Sequence, residues 1–166
     1  MRLFIAVRLD GSVTGALLAA QEALRASGLK GRYAPKENLH LTLAFIGERE
    51  RPDEVLSVME KCAFSAFPLR LGALGRFGDL WWAGADGGEP LARLAADLRR
   101  ALKEAGIPFD SKPFRPHITL LRNASGQAGP IGLSPAGMTV RRVSLMRSDR
   151  SRTGMIYTEI GKKEAL

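Results

Sequence analysis

The chain has two histidines, and both stand in the same four-residue frame: His40-Leu41-Thr42-Leu43 and His117-Ile118-Thr119-Leu120. From average residue usage, a given histidine falls in such a frame by chance about once in a thousand. The frame fits a β-strand, whose side chains alternate between two faces. His40 and Thr42 then share one face, as do His117 and Thr119, while Leu41, Leu43, Ile118 and Leu120 point behind them into a core. Two such strands facing across a cleft would bring two imidazoles and two hydroxyls onto one small anionic group. A lone strand histidine is more often a half-buried residue with its hydrogen bonds satisfied. The matched pair reverses that judgement and predicts a functional site.

The other bulk properties narrow the partner rather than the fold. A length of 166 residues suits one domain, or two small lobes sharing a core. Apolar content of 45% and charged content of 25% are ordinary for a globular protein, whereas a net charge of +8 is not. That surplus favours polyanions, nucleic acid above all, unless it serves only solubility. A single cysteine, Cys62, rules out an intramolecular disulfide and makes a reducing compartment the expectation. Met1 to Val7 is apolar but meets Arg8 and Asp10 too soon for a signal sequence, and no stretch approaches a membrane span. A cytoplasmic protein is expected.

Along the chain, Leu3 to Val7 reads as a buried strand. Asp10-Gly11-Ser12 then caps a helix through Val13, Leu17, Ala20 and Leu24, closed by Gly28. Tyr33 starts a brief extended piece, and Pro35 to Asn38 turns into the first motif strand, Leu39 to Ile46, with Gly47 as its stop. Pro52, Asp53 and Glu54 open a second helix with Val55, Met59, Cys62 and Ala63 as its apolar stripe. Pro68 to Phe77 and Leu80 to Ala83 form a hairpin about Gly78-Asp79, with Trp81 and Trp82 on opposite faces. From Pro90, the residues Leu91, Leu94, Ala95, Leu98, Ala101, Leu102 and Ala105 line one face of a third helix. The second motif strand runs from Phe114 to about Arg122, and Asn123 to Gly137 is loop. Thr139 to Met146 and Met155 to Ile160 complete the strands, leaving Lys162-Lys163-Glu164 as a frayed tail. This order predicts an α+β fold with largely antiparallel sheets and helices packed outside. We expect a single domain, residues 1–166, of two intertwined lobes with one motif strand in each and a cleft between them.

The motifs also carry a family resemblance. Arg2-Leu3-Phe4-Ile5-Ala6, Glu37-Asn38-Leu39-His40-Leu41-Thr42-Leu43-Ala44-Phe45-Ile46-Gly47 and Phe114-Arg115-Pro116-His117-Ile118-Thr119-Leu120 resemble the two-histidine phosphoesterases. The resemblance is narrower to the RNA 2′,3′-cyclic phosphodiesterases, also called 2′-5′ RNA ligases. It extends to about residue 158, taking in Ser144 to Ser148 and Tyr157. The chain departs from the pattern at Tyr33, where members commonly carry Trp, and at Leu121, where they carry a small residue. The resemblance implies that His40 donates a proton to the leaving 3′ oxygen and that His117 takes one from water. It also implies that Arg122 contacts phosphate, and that RNA with 2′,3′-cyclic phosphate ends is the substrate.

The residue types alone support the same reaction class. Cleaving a cyclic phosphodiester needs a base and an acid on opposite sides of phosphorus, and histidine serves as either near neutral pH. Thr42 and Thr119 can donate to the non-bridging oxygens, where charge builds. Two histidines without convergent cysteines or carboxylates make a poor zinc set, so neither a metal nor a cofactor is expected. Strict alternation puts Arg122 on the face opposite His117 and Thr119 unless a bulge intervenes, and it puts Phe45 in the core. Arg115, Lys36 and Tyr33 are further candidate contacts, and Arg141, Arg142, Arg147, Arg150 and Arg152 could track an RNA backbone or serve as a charged sheet edge. Two alternatives remain open: a related phosphoesterase acting on 2′-5′ oligonucleotides or small cyclic nucleotides, and a non-catalytic module that binds RNA ends. The expected state is a monomer without membrane association.

Overall fold

The computed structural model describes residues 1–166. Its elements in chain order are β1 (Arg2–Arg8), α1 (Gly11–Ala26), β2 (Lys30–Tyr33), a 3-10 turn (Lys36–Asn38), β3 (His40–Glu48), α2 (Pro52–Glu60) and β4 (Phe67–Phe77). They continue with β5 (Leu80–Asp86), α3 (Gly88–Glu104), β6 (His117–Ser125), β7 (Gly137–Val140), β8 (Arg142–Ser151) and β9 (Gly154–Glu164). Every strand pair is antiparallel. One sheet has the order β3-β1-β8-β9 and the other β2-β6-β5-β4-β7, so each motif strand belongs to a different sheet.

The expected α+β class is the one observed, and local chemistry accounts for the helices. The Asp10 carboxylate accepts the Val13 backbone N–H at 3.0 Å, capping α1, whose buried positions Val13, Leu17, Ala20 and Leu24 recur at helical spacing. Pro52 starts α2, and the acids Asp53 and Glu54 favour its positive end. A core of 31 buried residues joins both sheets to all three helices, so the two halves share one interior. Leu3, Ile5 and Val7 of β1 face this core. Phe4, Ala6 and Met146 point the other way, with Tyr157 packed on them, and cover the opposite face of the first sheet. No helix is long and apolar enough to cross a membrane.

Several expected boundaries shift for physical reasons. The run expected as one strand from Thr139 to Met146 is broken at Arg141: β7 pairs with β4 in one sheet, and β8 pairs with β1 in the other. Val140 and Val143 are both fully buried, and the two exposed arginines between them, Arg141 and Arg142, mark the crossover between sheets. Gly47 does not end β3; at φ +84° it lies within the strand, beside a register skip opposite Leu3 and Phe4. The tail is not frayed, because β9 runs to Glu164, Ala165 N–H donates to the Arg141 carbonyl (2.7 Å) and Leu166 N–H to that of Phe64 (2.9 Å). Helix α2 ends before Cys62, which is still buried, while Ala63 is exposed. Strand β6 begins at His117 rather than Phe114, and it extends to Ser125, into the expected loop.

Candidate active site

The two motif strands share an unusual burial sequence. In β3, His40 and Thr42 are half-buried between the buried Leu41 and Leu43; Ala44 is then also buried, and Phe45 is exposed. In β6 the same order runs through His117, Ile118, Thr119, Leu120 and Leu121 to an exposed Arg122. A bulge causes each reversal. Thr42 and Ala44 oppose the consecutive residues Ala6 and Ile5, leaving Leu43 extra; Thr119 and Leu121 oppose Trp82 and Trp81, leaving Leu120 extra. One extra residue exchanges the faces of everything after it.

Two expectations change as a result. Phe45 is not a core residue: it is 38% exposed and stacks on Phe4 at 6.1 Å, on the face that carries His40. Arg122 comes onto the face of His117 and Thr119, which strict alternation denied it. Each bulge is also held from behind by a helix. Arg99 Nε of α3 donates to the Leu43 carbonyl (3.1 Å), and Gln21 Nε2 of α1 donates to the Leu120 carbonyl (3.0 Å). Neither residue stands out in the sequence, since both lie on helices whose visible pattern is apolar.

Both imidazoles are fixed by the same device. His40 Nδ1–H donates to the Asn38 carbonyl (2.7 Å), and His117 Nδ1–H donates to the Arg115 carbonyl (2.6 Å), two residues earlier in each case. A carbonyl only accepts, so Nδ1 carries a proton in both rings and Nε2 is left for chemistry. His40 Nε2 lies 2.8 Å from Thr42 Oγ1, which donates to it while the ring is neutral and accepts from it once the ring is charged. The Asn38 amide in turn donates to the Met155 carbonyl (2.9 Å), tying the first motif to β9. Aromatic rings flank each imidazole. Phe4 and Tyr157 lie 4.8 and 5.3 Å from His40, and Phe77 and Trp82 lie 5.5 and 6.1 Å from His117. Trp82, cross-strand partner of Thr119, is therefore the tryptophan at the site, and its buried Nε1 has no hydrogen-bond partner. Trp81 packs against the core instead, with the Arg76 guanidinium over its ring.

Burial pushes the pKa of His40 below its ordinary 6.5. The Asn38 carbonyl opposes that shift, and the positive charges of Arg122 and His117 add to it. Those two residues lie on β6 of the other sheet, and β6 packs beside β3.

The remaining candidates are placed less centrally. Arg115 has an exposed side chain and serves His117 through its backbone carbonyl. Lys36 is exposed on the 3-10 turn before β3. Tyr33 is directed away from the cleft: its hydroxyl donates to the Leu29 carbonyl (2.7 Å), and the Arg25 guanidinium of α1 lies over its ring. Among the C-terminal arginines, Arg142 pairs with Glu159 and Glu164, and Arg147 with Asp149.

Comparison with known proteins finds relatives in sequence and in fold. Residues 15–152 match the model of the 2′-5′ RNA ligase superfamily. The RNA 2′,3′-cyclic phosphodiesterase of Thermus thermophilus is 36% identical over 179 aligned positions, covering 98% of this chain and 89% of its own length. A crystal structure of a Thermus thermophilus protein superposes with a TM-score of 0.86 at 35% identity, over 99% of this chain and 97% of the other. The crystal structure of Escherichia coli LigT complexed with 3′-AMP superposes with a TM-score of 0.84 at 26% identity, over 99% and 97%.

Proposed function

This chain belongs to the 2′-5′ RNA ligase superfamily, and from that premise we infer that it is an RNA 2′,3′-cyclic phosphodiesterase that opens cyclic phosphate ends with its histidine pair. The observation that carries the mechanism is that two imidazoles, one in each sheet, both have Nδ1 committed to a backbone carbonyl, which leaves Nε2 as the proton-exchanging nitrogen, at His40 beside the Thr42 hydroxyl. His117 Nε2 takes a proton from water as the water oxygen attacks phosphorus. The bond from phosphorus to the 3′ oxygen breaks, His40 Nε2 delivers a proton to that oxygen, and a 2′-phosphate and a 3′-hydroxyl remain. Thr42 and Thr119 donate to the non-bridging oxygens, and Arg122 neutralises their charge. By microscopic reversibility the same groups can join a cyclic end to a 5′-hydroxyl through a 2′-5′ bond.

Burial disfavours the very proton that His40 must donate. An anionic cyclic phosphate supplies the missing counter-charge, so substrate binding itself equips His40 as the acid. The exchanged assignment, with His40 as base, draws on the same burial. A substrate whose 3′ leaving oxygen is replaced by sulfur separates the two, because a thiolate leaves without an acid. Such a substrate restores turnover to His40→Ala but not to His117→Ala if His40 is the donor, and the reverse pattern exchanges the roles.

Metal independence is part of the proposal. Neither imidazole stands with the further His, Cys or carboxylate ligands of a metal-binding group, and the paired acid and base perform the work a metal-bound water would. We further propose that the chain is one domain of two lobes and acts as a cytoplasmic monomer, with Arg115 and Lys36 as outer contacts to RNA. The experiment is incubation with a short RNA ending in 2′,3′-cyclic phosphate, in the presence of EDTA, followed by analysis of the end formed. Wild-type protein yields the 2′-phosphate, and His40→Ala and His117→Ala each lose about a thousandfold or more in rate. Binding without turnover would leave the chain a module that recognises RNA ends, and loss of turnover in EDTA would remove metal independence.

A further inference from the structure

Arg32 does not stand out in the sequence, yet β2 and β6 pair in a register that sets it directly opposite Arg122. Cross-strand partners project from the same face of a sheet, and like charges placed there repel. The pair stands without a carboxylate within 4.0 Å of either guanidinium, whereas Arg142 and Arg147 are matched to acids. We infer that Arg32 and Arg122 together form a second anion subsite, which holds the phosphodiester preceding the cyclic end and makes an RNA strand a better substrate than a mononucleotide. The inference rests on the phosphodiesterase reading above.

Local structure holds Arg32 in this position. Gly31, at φ +150°, lies against β6 so closely that a Cβ would stand 2.7 Å from the Arg122 carbonyl oxygen and 2.9 Å from that of Asn123. The register skips here, since Lys30 opposes Ser125 while Arg32 already opposes Arg122. Asn123, itself at φ +54°, turns its side chain to Arg32. In the amide orientation that satisfies both groups, its oxygen accepts from Arg32 Nε at 3.2 Å and Nη2 at 3.1 Å. The end-on edge of the guanidinium, Nη1 with Nη2, stays open, and that planar fork matches two oxygens of a phosphate.

Position along the sheet indicates which phosphate this is. Past the Leu120 bulge Arg122 shares the face of His117 and Thr119, three residues beyond Thr119 on the same strand, which puts it beside the reacting phosphorus of the proposed site. Strand β2 is the outermost of its sheet, so Arg32 stands one strand spacing, about 4.8 Å, beyond β6 and toward the open edge. A nucleic acid whose cyclic end lies between the imidazoles thus carries its next phosphate outward over this pair.

The test compares a 2′,3′-cyclic mononucleotide with a tetranucleotide ending in the same cyclic group, using wild type, Arg32→Gln and Arg32→Lys. Arg32→Gln should lower kcat/KM on the tetranucleotide about tenfold more than on the mononucleotide, chiefly through KM, with Arg32→Lys in between. For the tetranucleotide, the slope of log kcat/KM against log salt should become shallower by about 0.7, the value for one contact to a single strand. Equal losses on both substrates, or no loss on either, would overturn the inference. If wild type turned over neither substrate, the phosphodiesterase reading would fail on its own. The same comparison, made as binding of 2′-phosphate-ended tetranucleotide and mononucleotide, would then decide the role of Arg32.

Discussion

A bond from Nδ1–H to the carbonyl two residues back holds each imidazole, and the backbone rather than another side chain thus sets the tautomer on both sides of the cleft. His40 is the more enclosed of the pair functionally, with Thr42 at its Nε2 and Phe4 and Tyr157 against its ring. Its lowered pKa has a consequence for stability. Between 6.5 and its depressed folded value, the unfolded chain binds a proton that the native protein refuses, so stability rises with pH through this window. His40 therefore contributes fully above 6.5, and its contribution is lost as pH falls. Urea unfolding followed downward from pH 6.5 should show a shallower decline in His40→Gln than in wild type; parallel curves would mean that the imidazole is not disfavoured in its charged form. At this scale the sequence was eloquent about identity and silent about partners. The frame names His40, Thr42, His117 and Thr119, but not the Asn38 and Arg115 carbonyls or Arg32. Backbone acceptors have no residue code, and a cross-strand neighbour depends on register.

Among elements, the decisive features are the bulges at Leu43 and Leu120, because they bring Phe45 and Arg122 onto the reacting face. The helices that brace them are crossed. Helix α1 precedes the first motif but supports the second through Gln21, while α3 precedes the second motif and supports the first through Arg99. Gln21 is buried and also donates to the Ala34 carbonyl at 2.9 Å, so its amide joins α1, the β2 end and the β6 bulge. Gln21→Leu leaves these acceptors short of a donor and should cost about 1–3 kcal/mol in denaturant unfolding. A change of a few tenths would mean that the amide does not hold the bulge. Strict alternation could not reveal either bulge, since one extra residue in an apolar run such as Leu120-Leu121 looks like an ordinary buried strand. The change of sheet at Arg141 was hidden for a related reason: Val140 and Val143 both look like strand residues, and nothing in their sequence says that they belong to different sheets.

Over the whole molecule, two antiparallel sheets with a common core each carry one imidazole, and the proposed site needs both. The helices and most strands were legible from apolar spacing, caps and turns. The proposal of one shared site came from the sequence only because the same frame occurs twice. Net charge of +8 pointed to a polyanion, and Arg32 and Arg122, set opposite each other with no carboxylate partner, give part of that charge a location on the sheet that carries His117. The central claim is that His40 and His117 converge on a single phosphorus. With only two histidines in the chain, proton NMR can follow both Cε1–H signals without ambiguity during titration with a dinucleotide ending in 2′-phosphate. Both signals should move along one binding curve that saturates at one equivalent, and the lowered pKa of His40 should rise in the complex. Movement of one signal alone, or two curves with separate stoichiometries, would contradict the claim.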